Sequence, residues 1–398
     1  MTDVAADDLD AFRGEACAWL AENFPASLRG GQDPTRAPGP QVLTPDQTLW
    51  KQRMADKGWA TPTWPAAYGG GGLSAAQARA LQQEMDRTGA YNPMYGMGLM
   101  MLGPTLLEVA SEAQKARHIP PIVRGEVRWC QGFSEPGAGS DLASLATRAE
   151  DRGDHFLVNG QKTWTSGGQY ADWCFCLVRT DTARKHAGIS FVLFDMKTPG
   201  VEVRPMKLIS GASPFCETFL TDVVVPKENL VGPLNGGWDI AKRLLQHERT
   251  GISGNAKPAA ADVPLAELAK RYVGLDAAGR LAEPDLRARI AANDMAAHAF
   301  QLTAERVLKE TKSGSPSAGS SILKNAGTRM GQERDELRLE ILGMAGIGWE
   351  GEGFEDGELR AVRTWLAGKA TTIYGGSQEV QSNIISKRIL GLPESTQG

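Results

Sequence analysis

Cysteine is scarce in this 398-residue chain. Its five cysteines, Cys17, Cys130, Cys174, Cys176 and Cys216, are odd in number and scattered, and no C-x-x-C pair occurs. That argues against a disulfide scaffold or a zinc ribbon and suits a reducing compartment. Cys174 and Cys176 share one face of a strand-like run and read as small buried side chains. Five histidines show no H-E-x-x-H or similar spacing, so no metal site is expected. Charge of one sign is also lacking. A net charge of −4 gives no nucleic-acid or anionic-membrane signal, and any anionic ligand must be held by local donors. The longest weakly polar run, "MYGMGLMMLGPTLLEVA", is cut by glycines and Pro104. It is shorter than the ~20 residues of a membrane span and reads as a buried helical segment. The acidic opening, "MTDVAADDLD", matches neither a signal nor a transit peptide, so a cytoplasmic protein is expected.

What is present is ordinary globular composition, 41% hydrophobic and 23% charged, in three successive textures. In "DDLDAFRGEACAWLAENFP", Leu9, Phe12, Ala16 and Trp19/Leu20 recur at helical spacing until Pro25. A Gly- and Pro-rich loop follows at 30–41, then helical segments around 43–57, 74–89 and 104–125. Near residue 127 the pattern shortens. "DWCFCLVRT", "GISFVLFDM", "GVEVRPM" and "ETFLTDVVVP" read as strands, and Asn159-Gly160 within "HFLVNGQKTWTS" is a hairpin signal. Helical spacing returns at Gly237 and lasts to about 390, with a polar break at 311–321. The expected fold is α+β: an N-terminal helical domain (1–126), a middle antiparallel β domain (127–235) and a C-terminal helical bundle (236–398). This is not the βαβ alternation of a doubly wound sheet.

"WCQGFSEPGAGSDLASLATRAE" (129–150) is the densest motif. G-x-G-x-x-G fails in it, because Leu142 stands at the last glycine. It reads either as a tight turn or as a loop whose backbone N–H groups and Ser134 and Ser140 hydroxyls meet a ligand. In "NGQKTWTSGGQYADW", Trp164 lies among Thr163, Thr165 and Ser166. It is either a core tryptophan or a wall for a flat aromatic cofactor.

Together these stretches resemble the acyl-CoA dehydrogenase family. The resemblance also covers "GWATPTWPAAYGGGGLS", "VPKENLVGPLNGGW" and the closing "YGGSQEVQSNIISKRILGLP", in the same order over nearly the whole chain. It implies the helical–β–helical fold and FAD as cofactor. Carried over by motif, Gln131, Phe133 and Ser134 would belong to the flavin-binding set, and Gly139 and Ser140 would lie by the pyrophosphate and the CoA portion of the substrate. Trp164 would pack on the isoalloxazine and Ser166 would bond to it. Ser377 and Glu379 match positions near the adenosine half, with Glu379 where the family usually has glutamine. "LEILGMAGIGWEGEG", with Gly343 and with Glu340 in place of a common glutamine, resembles the loop that reaches a neighbouring subunit's FAD. The family's Arg-x-x-Phe-Gly segment is not recognisable, and Arg280 stands in for its arginine. The partners implied are an acyl-CoA substrate and an electron-transfer flavoprotein or similar acceptor. The assembly implied is a homo-tetramer or homo-dimer, with a heteromeric one also open.

In most of the family a catalytic glutamate follows the tyrosine of the closing motif. Here Gly375 follows Tyr374 and retains only the backbone N–H that polarises the thioester carbonyl. "NGGWDIAKRLLQHERTGIS" holds a replacement. Ala241, Leu244/Leu245, Glu248 and Ile252 fall on one helical stripe. A carboxylate among apolar neighbours is costly without a task, and desolvation raises its pKa toward that of a useful base. The isovaleryl and long-chain branches of the family carry the base here, in a pair like Glu248-Arg249. An exposed helix residue is the plain alternative. Arg249 points about 100° away around the helix and would order the pocket or meet substrate. The Met-rich run 94–101 reads as acyl-pocket lining or as helix core. The expectation is an acyl-CoA dehydrogenase with Glu248 and Gly375 at the chemistry. A partner subunit of a heteromeric dehydrogenase and an acyl-CoA oxidase are the other readings.

Overall fold

A computed structural model describes residues 6–30, 39, 42–254, 263–310 and 319–393. Most of the 30–41 loop and of the 311–321 break lies outside these residues. The chain packs as two compact units, Met1–Met206 with Pro214–His247, and Lys207–Ser213 with Glu248–Gly398.

The first unit opens with α1 (Ala6–Asn23), α2 (Pro45–Asp56), α3 (Ala75–Thr88), α4 (Gly103–Val109) and α5 (Glu112–Val123). The spacing read in α1 holds: Phe12, Ala16 and Leu20 are buried against Trp50, Met54, Leu81 and Met85. Each large side chain so buried contributes about 1.5–3 kcal/mol. Capping boxes start α2 (Thr44/Gln47), α3 (Ser74/Gln77) and α5 (Ser111/Gln114). The last of these corrects the single helical segment expected at 104–125. Ser111 caps a new helix there, so the segment is two helices. Met94 and Met101 are buried in hydrophobic clusters, Met101 on a π-helical turn at Gly98–Leu102, which makes both core residues.

The sheet has eight strands: β1 (Trp129–Gly132), β2 (Arg148–Asp151), β3 (His155–Ser166), β4 (Trp173–Arg179), β5 (Ile189–Asp195), β6 (Val201–Met206), β7 (Phe215–Pro226) and β8 (Leu230–Val231). Their order is β6-β7-β3-β2-β4-β5-β8, with β1 beside β4. Most pairs are antiparallel, as expected, but β4 pairs in parallel with both β1 and β2. Both faces are covered. Phe175 and Leu177 of β4 face the helices α4 and α5, while Cys174, Cys176 and Val178 face a second core with Phe156, Val158 and Val223. That is why β4 reads as a continuous apolar run rather than an alternating one.

Asn159-Gly160 is not a hairpin turn. It lies inside β3, where the register with β7 slips between Val158 and Gly160. Asn159 exchanges bonds with Asp222, its side-chain amide meeting the carboxylate and its carbonyl oxygen accepting the Asp222 N–H, both at 2.9 Å. Gly160 is required because a Cβ there would come within 2.5 Å of Thr147.

α6 (Gly237–Gly254) begins in the first unit. The second holds α7 (Leu265–Tyr272), α8 (Pro284–Glu310), α9 (Gly319–Leu342), α10 (Asp356–Gly368) and α11 (Gln378–Ile384). Leu265, Leu268, Ile290, Leu337 and Ile341 form its core. Helical, β and helical segments thus follow one another, as the α+β reading expects. Among the described residues no helix is long and apolar enough to cross a membrane.

Candidate active site

The glycine-rich loop leaves β1 with Gln131 half-buried and Phe133 buried. The Phe133 ring meets Phe175 and Phe191 edge to face, at 5.9 and 6.2 Å. Glu135 and Ala138 exchange two backbone bonds of 3.0 Å, closing a turn over Pro136-Gly137. Gly139 and Ser140 are exposed beyond it. A Cβ at Gly137 or Gly139 would meet nothing within 4 Å. The chain's own packing therefore does not demand glycine here. Glycine leaves the backbone open to close approach by another molecule.

Trp164 lies in a bulge of β3, where the register with β7 slips again between Lys162 and Thr165. Its φ is +60°, an outlier for a bulky side chain. The side chain is 55% exposed and meets Phe215 edge on at 5.8 Å. A core tryptophan is excluded by that exposure. The Thr163 N–H donates to the Ser134 carbonyl at 2.9 Å, so the bulge and the loop are tied directly. Half-buried Ser166 ends β3 before Gly167, which turns at φ +63°.

Three charged residues that sequence reasoning passed over hold this loop. Lys162, 1% exposed, donates to Glu135 at 2.7 Å and to the Phe133 carbonyl at 3.3 Å. The Glu135 carboxylate also accepts the Ala146 and Thr147 N–H groups, at 2.6 and 2.9 Å. Burial opposes ionisation of Glu135, but the Lys162 charge and these bonds outweigh it and hold its pKa below the ordinary value. Buried Arg179 donates to the carbonyls of Ala143, Leu145, Arg184 and Lys185. The signal available was limited to Lys162, whose spacing along β3 continues the buried face of Phe156 and Val158.

In the second unit, Tyr374 is half-exposed, and Gly375 and Gly376 turn at φ +66° and +90°. Buried Gln381 donates to the Gly375 carbonyl at 3.0 Å. Ser377 caps α11 by accepting the Val380 N–H, as its position predicts. Glu379 lies in the first turn of that helix; bonds from its own N–H and from Ser377, with Lys324 nearby, lower its pKa. Arg280 is bound by Asp276 of its own loop at 3.0 Å. Glu340 takes a two-pronged bond from Arg289, at 2.8 and 2.7 Å. Gly343 turns at φ +55° just after α9. Arg280 and Glu340 thus already hold partners within the chain.

Glu248 and Arg249 lie in α6, but their side chains fall outside the described residues. The phase of the helix is nevertheless visible up to them. Gly237, Ile240, Ala241 and Leu244 are buried, and Lys242 and Arg243 are exposed.

An open glycine loop, a half-exposed indole held beside it and serine hydroxyls at Ser134, Ser140 and Ser166 make a set suited to a large planar cofactor with polar edges. Family models match three successive segments of the chain. The acyl-CoA dehydrogenase N-terminal domain matches residues 37–126, the middle domain 130–223 and the C-terminal domain 235–390. The chain is 34% identical to acyl-CoA dehydrogenase IpdE1 of Mycolicibacterium smegmatis, over 98% of its own length and 100% of the relative's. Among solved structures it is similar to the Tcur3481-Tcur3483 steroid ACAD (TM-score 0.73, 29% identity, 99% and 100% of the two chains). It is also similar to the ChsE4-ChsE5 complex from Mycobacterium tuberculosis (TM-score 0.71, 29% identity, 99% and 100%).

Proposed function

The chain belongs to the acyl-CoA dehydrogenase family of oxidoreductases, and on that premise we propose that it converts an acyl-CoA thioester to the trans-2-enoyl-CoA with FAD as cofactor. Bound FAD supplies the acceptor for the hydride that leaves the β-carbon. Glu248 takes the proton from the α-carbon. The Gly375 N–H polarises the thioester carbonyl, and Tyr374 and Arg249 shape the substrate's surroundings. Trp164 walls the flavin, Gln131, Phe133, Ser134 and Ser166 line it, and Gly139 and Ser140 leave room for phosphates. Ser377, Glu379 and Gly343 attend the nucleotide end. Arg280 and Glu340 would join them while engaged with Asp276 and Arg289. Electrons leave to an electron-transfer flavoprotein or similar acceptor.

The observation that carries this reading is Trp164, held half-exposed at φ +60° beside an open glycine loop. Strain of this kind persists where function uses it. The test is the visible spectrum of the anaerobic protein as straight, branched and steroid-derived acyl-CoAs are added; the last class enters because a similar structure is a steroid ACAD. Bleaching of a yellow protein by one class establishes the half-reaction and names the substrate. A yellow protein that none bleaches refutes it.

A second reading is favoured by the similarity to the ChsE4-ChsE5 complex: this chain is one of two unlike subunits. The chain purified alone would then lack flavin, and co-expression with its partner would restore it.

A further inference from the structure

We propose that Lys162 and Glu135 are positioning residues for the flavin: their buried ion pair fixes the glycine-rich loop and the Trp164 bulge in one arrangement before the cofactor arrives. The proposal rests on the FAD reading above and assigns a role to two residues outside the set predicted from sequence.

The bonds of the pair all land on the loop's own backbone or its root. The Lys162 ammonium joins Glu135 to the Phe133 carbonyl, at 2.7 and 3.3 Å. The carboxylate then reaches across to the N–H groups of Ala146 and Thr147, at 2.6 and 2.9 Å. Residues 133 and 135 on one side and 146 and 147 on the other are therefore closed over a single pair. The next residue of β3 repeats the tie, since the Thr163 N–H donates to the Ser134 carbonyl. Trp164 follows at once, in the bulge. Arg179 anchors the far side through Ala143 and Leu145. What remains open is the tip, Gly137, Gly139 and Ser140.

Packing alone does not call for this arrangement. Burying two ions is expensive, and a well-packed apolar pair of similar volume is often as stable or more so. What an apolar pair lacks is direction. Four directed bonds specify where the loop backbone lies relative to β3, and both flavin-facing arms depend on that one relation. A cofactor then binds without first having to order them, which is the benefit of preorganisation.

The experiment separates stability from flavin binding. Apoprotein is prepared from the wild type and from the double variant Glu135→Met/Lys162→Met, and each is titrated with FAD and melted without it. The apo double variant should still melt cooperatively, because no lone charge is left buried, but several degrees below the wild type, because the buried Thr147 N–H loses its acceptor. Its Kd for FAD should rise at least about tenfold, or about 1.4 kcal/mol. An unchanged Kd, within twofold, overturns the proposal. A wild-type apoprotein that takes up no FAD overturns the FAD reading and this inference with it. If the double variant does not fold, Glu135→Gln carries the test. Its carboxamide accepts from Lys162 but presents an N–H to one of the two backbone N–H groups, and its Kd should rise at least about fivefold, close to 1 kcal/mol. A Kd within twofold of wild type overturns the proposal there too.

Discussion

Replacing Trp164 by glycine should cost the apoprotein less stability than truncating a core aromatic while removing much of its affinity for FAD. At φ +60° an L-residue carries about 1–2 kcal/mol of strain that glycine does not. The change forfeits the edge-on contact with Phe215, worth about 0.5–1.5 kcal/mol. It also adds about 0.5–1 kcal/mol of chain entropy to the unfolded state. The part of the side chain that is buried, about 80 Å², forfeits about 2 kcal/mol more. Set against the strain released, the net loss is about 2 kcal/mol, or about 4–8 °C in melting temperature. Truncating a buried aromatic costs about 3–5 kcal/mol. Binding behaves differently. Covering about 100 Å² of exposed indole at ~25 cal/mol per Å² amounts to about 2.5 kcal/mol, or roughly 50-fold in Kd. Thermal melting of the apoprotein and fluorescence titration with FAD measure the two effects. A loss of more than about 3 kcal/mol in stability would make Trp164 a packing residue and refute the strain argument. A Kd within twofold of wild type would remove it from the cofactor wall.

Glu248→Gln should retain FAD and acyl-CoA binding and abolish flavin reduction in anaerobic stopped flow; near-normal reduction would sink the assignment. Gly375→Ala should cost about 1–2 kcal/mol in chemical denaturation, because φ is +66° there, and should leave the base in place, so that reduction persists with a changed rate. Complete loss of reduction in that variant would put the essential group at 375. His118, buried between Trp129 and Trp173, has its pKa lowered from 6.5 to about 4, by burial first and then by the Arg117 charge. The unfolded chain therefore binds this proton first, and the stability His118 contributes is full above pH 6.5 and is lost as pH falls toward 4. In His118→Phe, stability measured by denaturant over that window should fall less steeply, by up to about 1.4 kcal/mol per pH unit; equal slopes would refute the assignment.

Local features were legible in the sequence because a local pattern decides them. The α1 stripe Phe12, Ala16, Leu20 follows from helical period, the Ser377 cap from its position, and the shared face of Cys174 and Cys176 from strand alternation. Features decided across the sheet were not. Asn159-Gly160 carries a hairpin dipeptide, yet Asp222 on β7 and Thr147 beside β2 draw it into a continuous strand. The slip that turns Trp164 outward is set by β7, and no property of "KTWTS" announces it. Lys162 and Glu135 stand 27 positions apart and meet only once β1 and β3 are both in place. Among the residues carried over by resemblance, Arg280 and Glu340 are engaged by Asp276 and Arg289, which no local pattern announced. Those partners lie on the same loop in one case and 51 positions away in the other.

The proposed placement of the base has a physical logic in this chain. Gly375 and Gly376 both occupy positive φ, and the turn is braced by the Gln381 bond to the Gly375 carbonyl. A Cβ at 376 would come within 2.4 Å of the Gln381 amide. A glutamate at 375 would keep the useful N–H but add about 1–2 kcal/mol of backbone strain to hold its carboxylate there. At 248 the backbone is helical, and glutamate is among the better helix formers. On that proposal, carbonyl polarisation would fall to a glycine N–H in a tight turn and proton abstraction to a side chain on a helix. Each group then sits where its own backbone conformation is unstrained. The separation also makes the two tasks independently testable, since a change at 248 alters the base without touching the turn, and a change at 375 strains the turn without removing the base.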